Sequence, residues 1–286
     1  MAQLVWLVTG CSTGFGNEFV REILKRGDKV IATARKAESL KELKDLGAAT
    51  LQLDVTASLS ELEGKMKEAV GVYGRIDILL LNAGYVQLGT VEEIGDDLLK
   101  QFQTNTFGAI NCLTALMPHW RERQSGFLVV NSSYQSQWSS LPMSGAYSAS
   151  KAALDRLVTT FAAEVGFVKT LTIHPGHFRT EVAAPEKIDS FLSVPSKNYQ
   201  PMKDFMTDFA KTIHGNQPGD TKKAVELTVD MVRGEGKAKG KQIPARIWLG
   251  SDAYKEVKAK CEEDLRVLEE WKSEIEGTDV SVNGTH

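Results

Sequence analysis

The chain has 286 residues, 42% of them hydrophobic, and its 34 basic and 37 acidic side chains leave a net charge of -3. One sizeable core fits within that length and apolar content, and the lack of a basic surplus argues against nucleic acid or an anionic membrane as partner. Cys11, Cys112 and Cys261 are odd in number, far apart and without metal-ligand spacing, which suits a reduced, cytoplasmic compartment, no disulfide framework and no resident metal.

The first apolar run, Leu4 to Val8, is too short for a signal-peptide core and lacks a basic leader. No stretch reaches the roughly 18 apolar residues of a membrane span. That run reads as the first of seven buried strands, expected at 4–9, 29–33, 50–53, 76–81, 127–131, 170–173 and 246–249, with amphipathic helices between them. Such alternation predicts an α/β fold with a doubly wound, Rossmann-like parallel sheet in one domain over 1–276. Residues 177–219, punctuated by four prolines, are too long for an ordinary connection and are expected to form a lid. A last helix is expected over 252–276, with Tyr254, Val257, Cys261, Leu265, Leu268, Trp271 and Ile275 on one stripe. That stripe is expected to pack on its own domain or on a second subunit. The tail 277–286 reads as unstructured.

After the first strand comes Thr9-Gly10-Cys11-Ser12-Thr13-Gly14-Phe15-Gly16, which opens a helix carrying Phe19, Ile23 and Leu24. Glycines at a strand-to-helix junction permit a tight turn and let backbone N–H groups approach a pyrophosphate, although the spacing is GxxxGxG and a glycine trio alone says little. The second strand ends in Ala34-Arg35, with no acid for the ribose hydroxyl of NAD. Arg35 therefore favours the 2'-phosphate of NADP, with Ser12 as a second candidate ligand.

Tyr147 and Lys151 stand four apart on the inward stripe that continues through Leu154, Val158, Phe161 and Val165. A buried ammonium needs a reason, and one is that it lowers the high pKa of a phenol, making Tyr147 a usable general acid or base. Asn105 falls on the buried stripe of its own helix, among Leu98, Phe102, Ala109, Leu113 and Leu116, where an amide needs partners.

The glycine turn, Asp54, Asn82-Ala83-Gly84, Asn105, Ser132-Ser133, Tyr147-Ser148-Ala149-Ser150-Lys151 and Pro175-Gly176 with Thr180 occur in an order that resembles the short-chain dehydrogenases/reductases. The likeness runs from about Leu4 to Thr180 and is looser beyond. It implies a catalytic tetrad of Asn105, a serine, Tyr147 and Lys151, in which Lys151 also holds the nicotinamide ribose and Asn105 positions a water. It further implies that Gly10, Ser12, Thr13, Gly14, Phe15, Gly16 and Arg35 hold the phosphates and that Asp54, Val55, Asn82, Ala83 and Gly84 line the adenine side. Pro175, Gly176, Phe178 and Thr180 would stand by the nicotinamide. Two places depart from the family: Leu81 replaces a frequent Asn, and Ser133 precedes Tyr147 by 14 residues where 13 is usual. Ser133 is nevertheless the expected carbonyl-holding residue, because Ser132 should face the other side of the strand, and Ser136 is held in reserve.

The expected activity is reduction of a carbonyl with NADPH, or the reverse. A non-redox catalyst on the same fold (epimerase, dehydratase or cyclase) and an NADP-binding regulator are the alternatives. Met202, Phe205, Met206 and Phe209 recur at helical spacing inside the lid. With Phe178 and Trp138 they predict an apolar pocket for a hydrophobic, cyclic or aromatic substrate, unless that helix only closes the core. The same resemblance implies a homo-oligomer, a dimer or tetramer.

Overall fold

The computed structural model describes residues 2–137, 141–180, 191–192 and 198–280. Seven strands appear among them: Val5–Val8 (β1), Lys29–Ala34 (β2), Ala49–Gln52 (β3), Ile78–Leu81 (β4), Gly126–Asn131 (β5), Val168–Pro175 (β6) and Arg246–Leu249 (β7). They form one parallel sheet in the order β3-β2-β1-β4-β5-β6-β7, so each expected strand is present, with its ends shifted by a few residues. The order reverses between β1 and β4, which opens a crevice at their carboxyl ends where ligands of such sheets bind.

The helices include Gly14–Lys25 (α1), Lys41–Asp45 (α2), Leu59–Tyr73 (α3), Asp97–Phe102 (α4), Ala109–Arg123 (α5), Gly145–Glu164 (α6), Gln200–Ile213 (α7), Thr221–Arg233 (α8), Ser251–Glu270 (α9) and Lys272–Glu276 (α10). Side chains of a strand alternate between faces, and both faces here are apolar because helices cover both. Trp6 and Val8 of β1 pack with Phe19 and Ile23 of α1 and Val225 and Val229 of α8. Leu7, pointing the other way, packs with Leu62 of α3, Leu116 of α5 and Leu154 of α6. Local chemistry fixes the helix starts: Ser58 and Glu61 form a reciprocal capping box at α3, and Asp220 accepts from the Lys222 and Lys223 N–H groups at α8.

Of the two packings expected for the C-terminal stripe, its own domain covers only the first part. Ala253 and Val257 are buried, but beyond them Leu265, Leu268, Trp271 and Ile275 are exposed, Trp271 to 55%. The helix pauses at Trp271 and resumes as α10. Residues 281–286 of the expected tail lie outside the described residues. No described helix is long and apolar enough to cross a membrane.

Candidate active site

A cleft of about 1070 Å³ lies at the carboxyl ends of the strands, over the switch between β1 and β4. It exceeds the usual range for a drug-sized ligand, so it has room for a dinucleotide and a second molecule. Gly10, Ser12, Thr13, Gly14, Phe15, Arg35, Asp54, Val55, Asn82, Ala83, Gly84, Pro175, Gly176, Phe178 and Thr180 all line it, together with Ser133, Tyr147 and Lys151.

The glycine turn is shaped by close packing. Gly10 sits at φ +70°, and a Cβ there would lie 2.8 Å from Ala83 Cα, so any other residue would be strained and would clash. Gly16 does not line the cleft. A Cβ on it would run into the Gly10 carbonyl, so it serves the contact between α1 and the turn. Asn82 ties the same turn to the sheet: its Nδ2 donates to the Thr9 and Gly10 carbonyls, both at 2.9 Å, and its Oδ1 accepts from Asn131. At the α1 N-terminus, Thr13 makes no side-chain cap, which leaves the first N–H groups of α1 turned toward the cleft.

The chain enters α6 through Met143, whose φ of +63° is rare for a side-chain-bearing residue. The Met143 carbonyl accepts from Gly89 N, and its side chain packs with Leu192 and Met206. This turn sets Tyr147 and Lys151 on the inner face of α6. Lys151 is 5% exposed and donates from Nζ to the Asn131 carbonyl at 2.8 Å. Burial pushes its ammonium down to about 8, against the opposing pull of Asp155. Burial raises the phenol of Tyr147, a hydrogen bond with Ser133 lowers it, and Asp155 raises it further. The direction is opposite to that expected from an adjacent ammonium, because both groups are desolvated and Lys151 spends its hydrogen bond on a carbonyl.

Ser132 and Ser133 both line the cleft, but they act on different groups. Ser133 bonds the phenol, whereas the Ser132 and Ser136 hydroxyls lie near Asp155, and Ser136 does not line the cleft. Asn105 lies in a widened π turn over Gln103–Gly108 between α4 and α5 and is fully buried. Its Oδ1 accepts from Tyr85 N and its Nδ2 donates to Tyr85 O, both at 3.0 Å, and to Ser150 Oγ. Asn105 is therefore behind the wall of the cleft and not on it, bracing the loop after β4 against α6. Turns of this type are frequent at functional sites.

The lid residues are placed differently from the expectation. Met206 is buried in a small cluster with Met143 and Leu192, Met202 packs on that cluster, and Phe205 is 53% exposed. None of the three lines the cleft. This face of α7 closes a satellite core, because the chain at Leu192 returns to pair with Leu88 and leaves an apolar gap to fill. Phe191 and Ile213 reach the cleft instead. Trp138 lies outside the described residues.

One pair was not anticipated. Asp252 at the start of α9 accepts from His177 N at 2.6 Å and meets its Nδ1 at 3.0 Å. Although burial raises the Asp252 carboxyl, these bonds hold it below the usual range. His177 lines the cleft and its ring stands edge-on to Tyr134 and Phe209. Seventy-five residues separate the partners, so no local pattern signals the contact.

A family model described as short chain dehydrogenase matches residues 4–190. Over 278 residues the chain is 31% identical to an oxidoreductase of Botryotinia fuckeliana (strain B05.10), covering 94% of this chain and 96% of the relative. The crystal structure of a short-chain dehydrogenase from Streptomyces avermitilis superposes with a TM-score of 0.82 at 32% identity, covering 97% and 99% of the two chains. A short-chain dehydrogenase from Burkholderia cenocepacia J2315 in complex with NADP shares the fold, with a TM-score of 0.68 at 21% identity over 94% and 97%. The match spans more than half the chain, and the fold and glycine turn agree with it: the protein belongs to the short-chain dehydrogenase family and is an oxidoreductase.

Proposed function

We propose that this protein interconverts a carbonyl and an alcohol with NADPH, Tyr147 being the general acid or base. The observation that carries this reading is the sharing of one cleft by the glycine turn, Arg35 and the Ser133, Tyr147 and Lys151 side chains. The residues fit a dinucleotide: Gly10 is a cradle that a Cβ would fill, and the first N–H groups of α1 are uncapped. The Gly10–Phe15 turn would hold the pyrophosphate, Arg35 and Ser12 the 2'-phosphate, and Tyr147 and Lys151 the nicotinamide ribose. When bound, the cofactor supplies the hydride.

In reduction the Tyr147 hydroxyl gives its proton to the substrate oxygen, which the Ser133 hydroxyl holds. Lys151, anchored on the Asn131 carbonyl, keeps positive charge beside the developing phenolate. Asn105 fixes the loop at Tyr85 and the start of α6, so these groups do not drift. Tyr134, Phe178, Phe191 and Ile213 line the cleft beside the polar Gln135, His177 and Gln217, and these four side chains suit a hydrophobic, cyclic or aromatic carbonyl compound.

A panel of carbonyl compounds followed by NADPH and NADH oxidation tests this. The expected result is turnover with a preference for NADPH, and Arg35→Ala should weaken NADPH binding about ten- to a hundredfold, the scale of a charge-assisted hydrogen bond. Product formed without NADPH consumption would move the protein to the non-redox class.

For the partner we propose a second copy. Tyr254, Cys261, Leu268 and Ile275 recur every seven residues along α9 and α10, the period of a helix-on-helix seam. Light scattering should give a dimer for the wild type and a monomer for Leu268→Glu. A wild-type monomer at micromolar concentration would contradict the assignment.

A further inference from the structure

Behind the cleft, α6 carries a third polar residue on its buried stripe. Asp155 follows Lys151 by one turn, about 6 Å along the axis at 1.5 Å per residue, and is 4% exposed. A carboxylate so placed is costly unless it has partners, yet no full ion pair meets it. His174 of β6, 3% exposed, stands 3.5 Å away with Nε2 toward Oδ2. Burial pushes that imidazole down to about 4, with the charges of Arg246 and Lys151 acting the same way, so it is neutral and cannot cancel the carboxylate. Burial raises the Asp155 carboxyl, and the nearby Ser132 and Ser136 hydroxyls, from the end of β5 and the turn after it, oppose that shift without cancelling it. The charges acting on it are Lys151 from its own helix and Arg246 at the start of β7. On the neighbouring side of α6, the π turn presents only neutral groups, Asn105 and Thr106, and they bond Ser150.

We propose that Asp155 is a positioning residue for the Tyr147–Lys151 pair, a buried carboxylate that keeps a proton on the pair through the field it exerts along α6. His174, Ser132 and Ser136 surround it without hydrogen-bonding or neutralising it. The inference rests on the acid-base reading of Tyr147 and extends it to a residue outside the cleft. Its sign does not depend on which group of the pair gives up the proton, since a neighbouring negative charge makes that loss harder from either.

The test is the pH dependence of kcat in both directions for wild type, Asp155→Asn, Asp155→Glu and Ser136→Ala, with Tyr147→Phe alongside. Reduction is lost, and oxidation gained, as the pair deprotonates with rising pH. Asp155→Asn should therefore move both limbs to lower pH by about two units, the scale of a unit charge about 6 Å away at an effective dielectric of about 20. Asp155→Glu should restore the limbs. Ser136→Ala, a smaller change at a site that tolerates it if Asp155→Asn does not fold, should move them the same way by less. A role confined to packing would lower activity or melting temperature and leave the limbs where they are. Limbs that stay in place with Tyr147→Phe inactive would overturn the role of Asp155 alone. An active Tyr147→Phe would overturn the reading of the site and the role of Asp155 with it.

Discussion

Helices α6 and α9 are each 20 residues long and each carries a stripe at helical spacing, yet they end differently. The α6 stripe runs Tyr147, Lys151, Leu154, Asp155 and Val158 and is covered by the sheet and its neighbours, with Leu154 1% exposed. The α9 stripe is nearly all apolar and leaves the domain after Val257, with Leu265 60% exposed. Periodicity thus reports which face of a helix wants cover, and not whether its own chain supplies it. The polar content of the stripe reports something else. Charged groups inside a covered stripe are retained at a cost and point to chemistry, whereas an uncovered apolar stripe points to another surface.

The sharpest way to break this comparison is Lys151→Ala. Removing the ammonium should cost turnover about a hundredfold or more and weaken NADPH binding too, because the same group would serve the ribose. Steady-state kinetics with NADPH titration by fluorescence would show whether both fall. Next comes the apolar contrast itself. Leu154→Ala should cost about 2–5 kcal/mol of stability, while Leu265→Ala should cost about 0.5 kcal/mol or less in the separated protomer. Denaturant unfolding at low protein concentration compares the two directly, and equal losses would mean that α9 is covered after all. The smallest effect belongs to the lid: Phe205→Ala should leave KM unchanged and cost about 0.5 kcal/mol of stability, since its ring is half exposed, stacks on Phe209 and does not line the cleft.

Much of this was legible in the chain itself. The seven strands were readable because β-branched apolar runs recur between helical patterns, and the glycine turn because its place between strand and helix demands small residues. Tyr147, Lys151 and Asp155 all lie on one stripe, so the inward polar pattern that picks out Tyr147 and Lys151 also contained the signal for Asp155, one further turn along. Other features needed three dimensions. The buried place of Asn105 was legible, but the π turn that carries it and its partners Tyr85 and Ser150, far away in sequence, were not. The His177–Asp252 pair joins segments 75 residues apart. The face of α7 reads the same whether it lines a pocket or fills a satellite core, and only the return of the chain at Leu192 decides.

The central claim is that Tyr147 moves the proton while the glycine turn, Arg35 and Lys151 carry most of the hold on the cofactor, and Tyr147→Phe tests it most directly, by turnover and NADPH affinity measured on the same preparation. The phenol's hydroxyl is removed and its ring kept, so turnover with the best carbonyl of the panel should fall by about 10²–10⁴ while the NADPH Kd stays close to that of the wild type. A variant that keeps most of its kcat, or that loses activity only because NADPH no longer binds, would contradict the account.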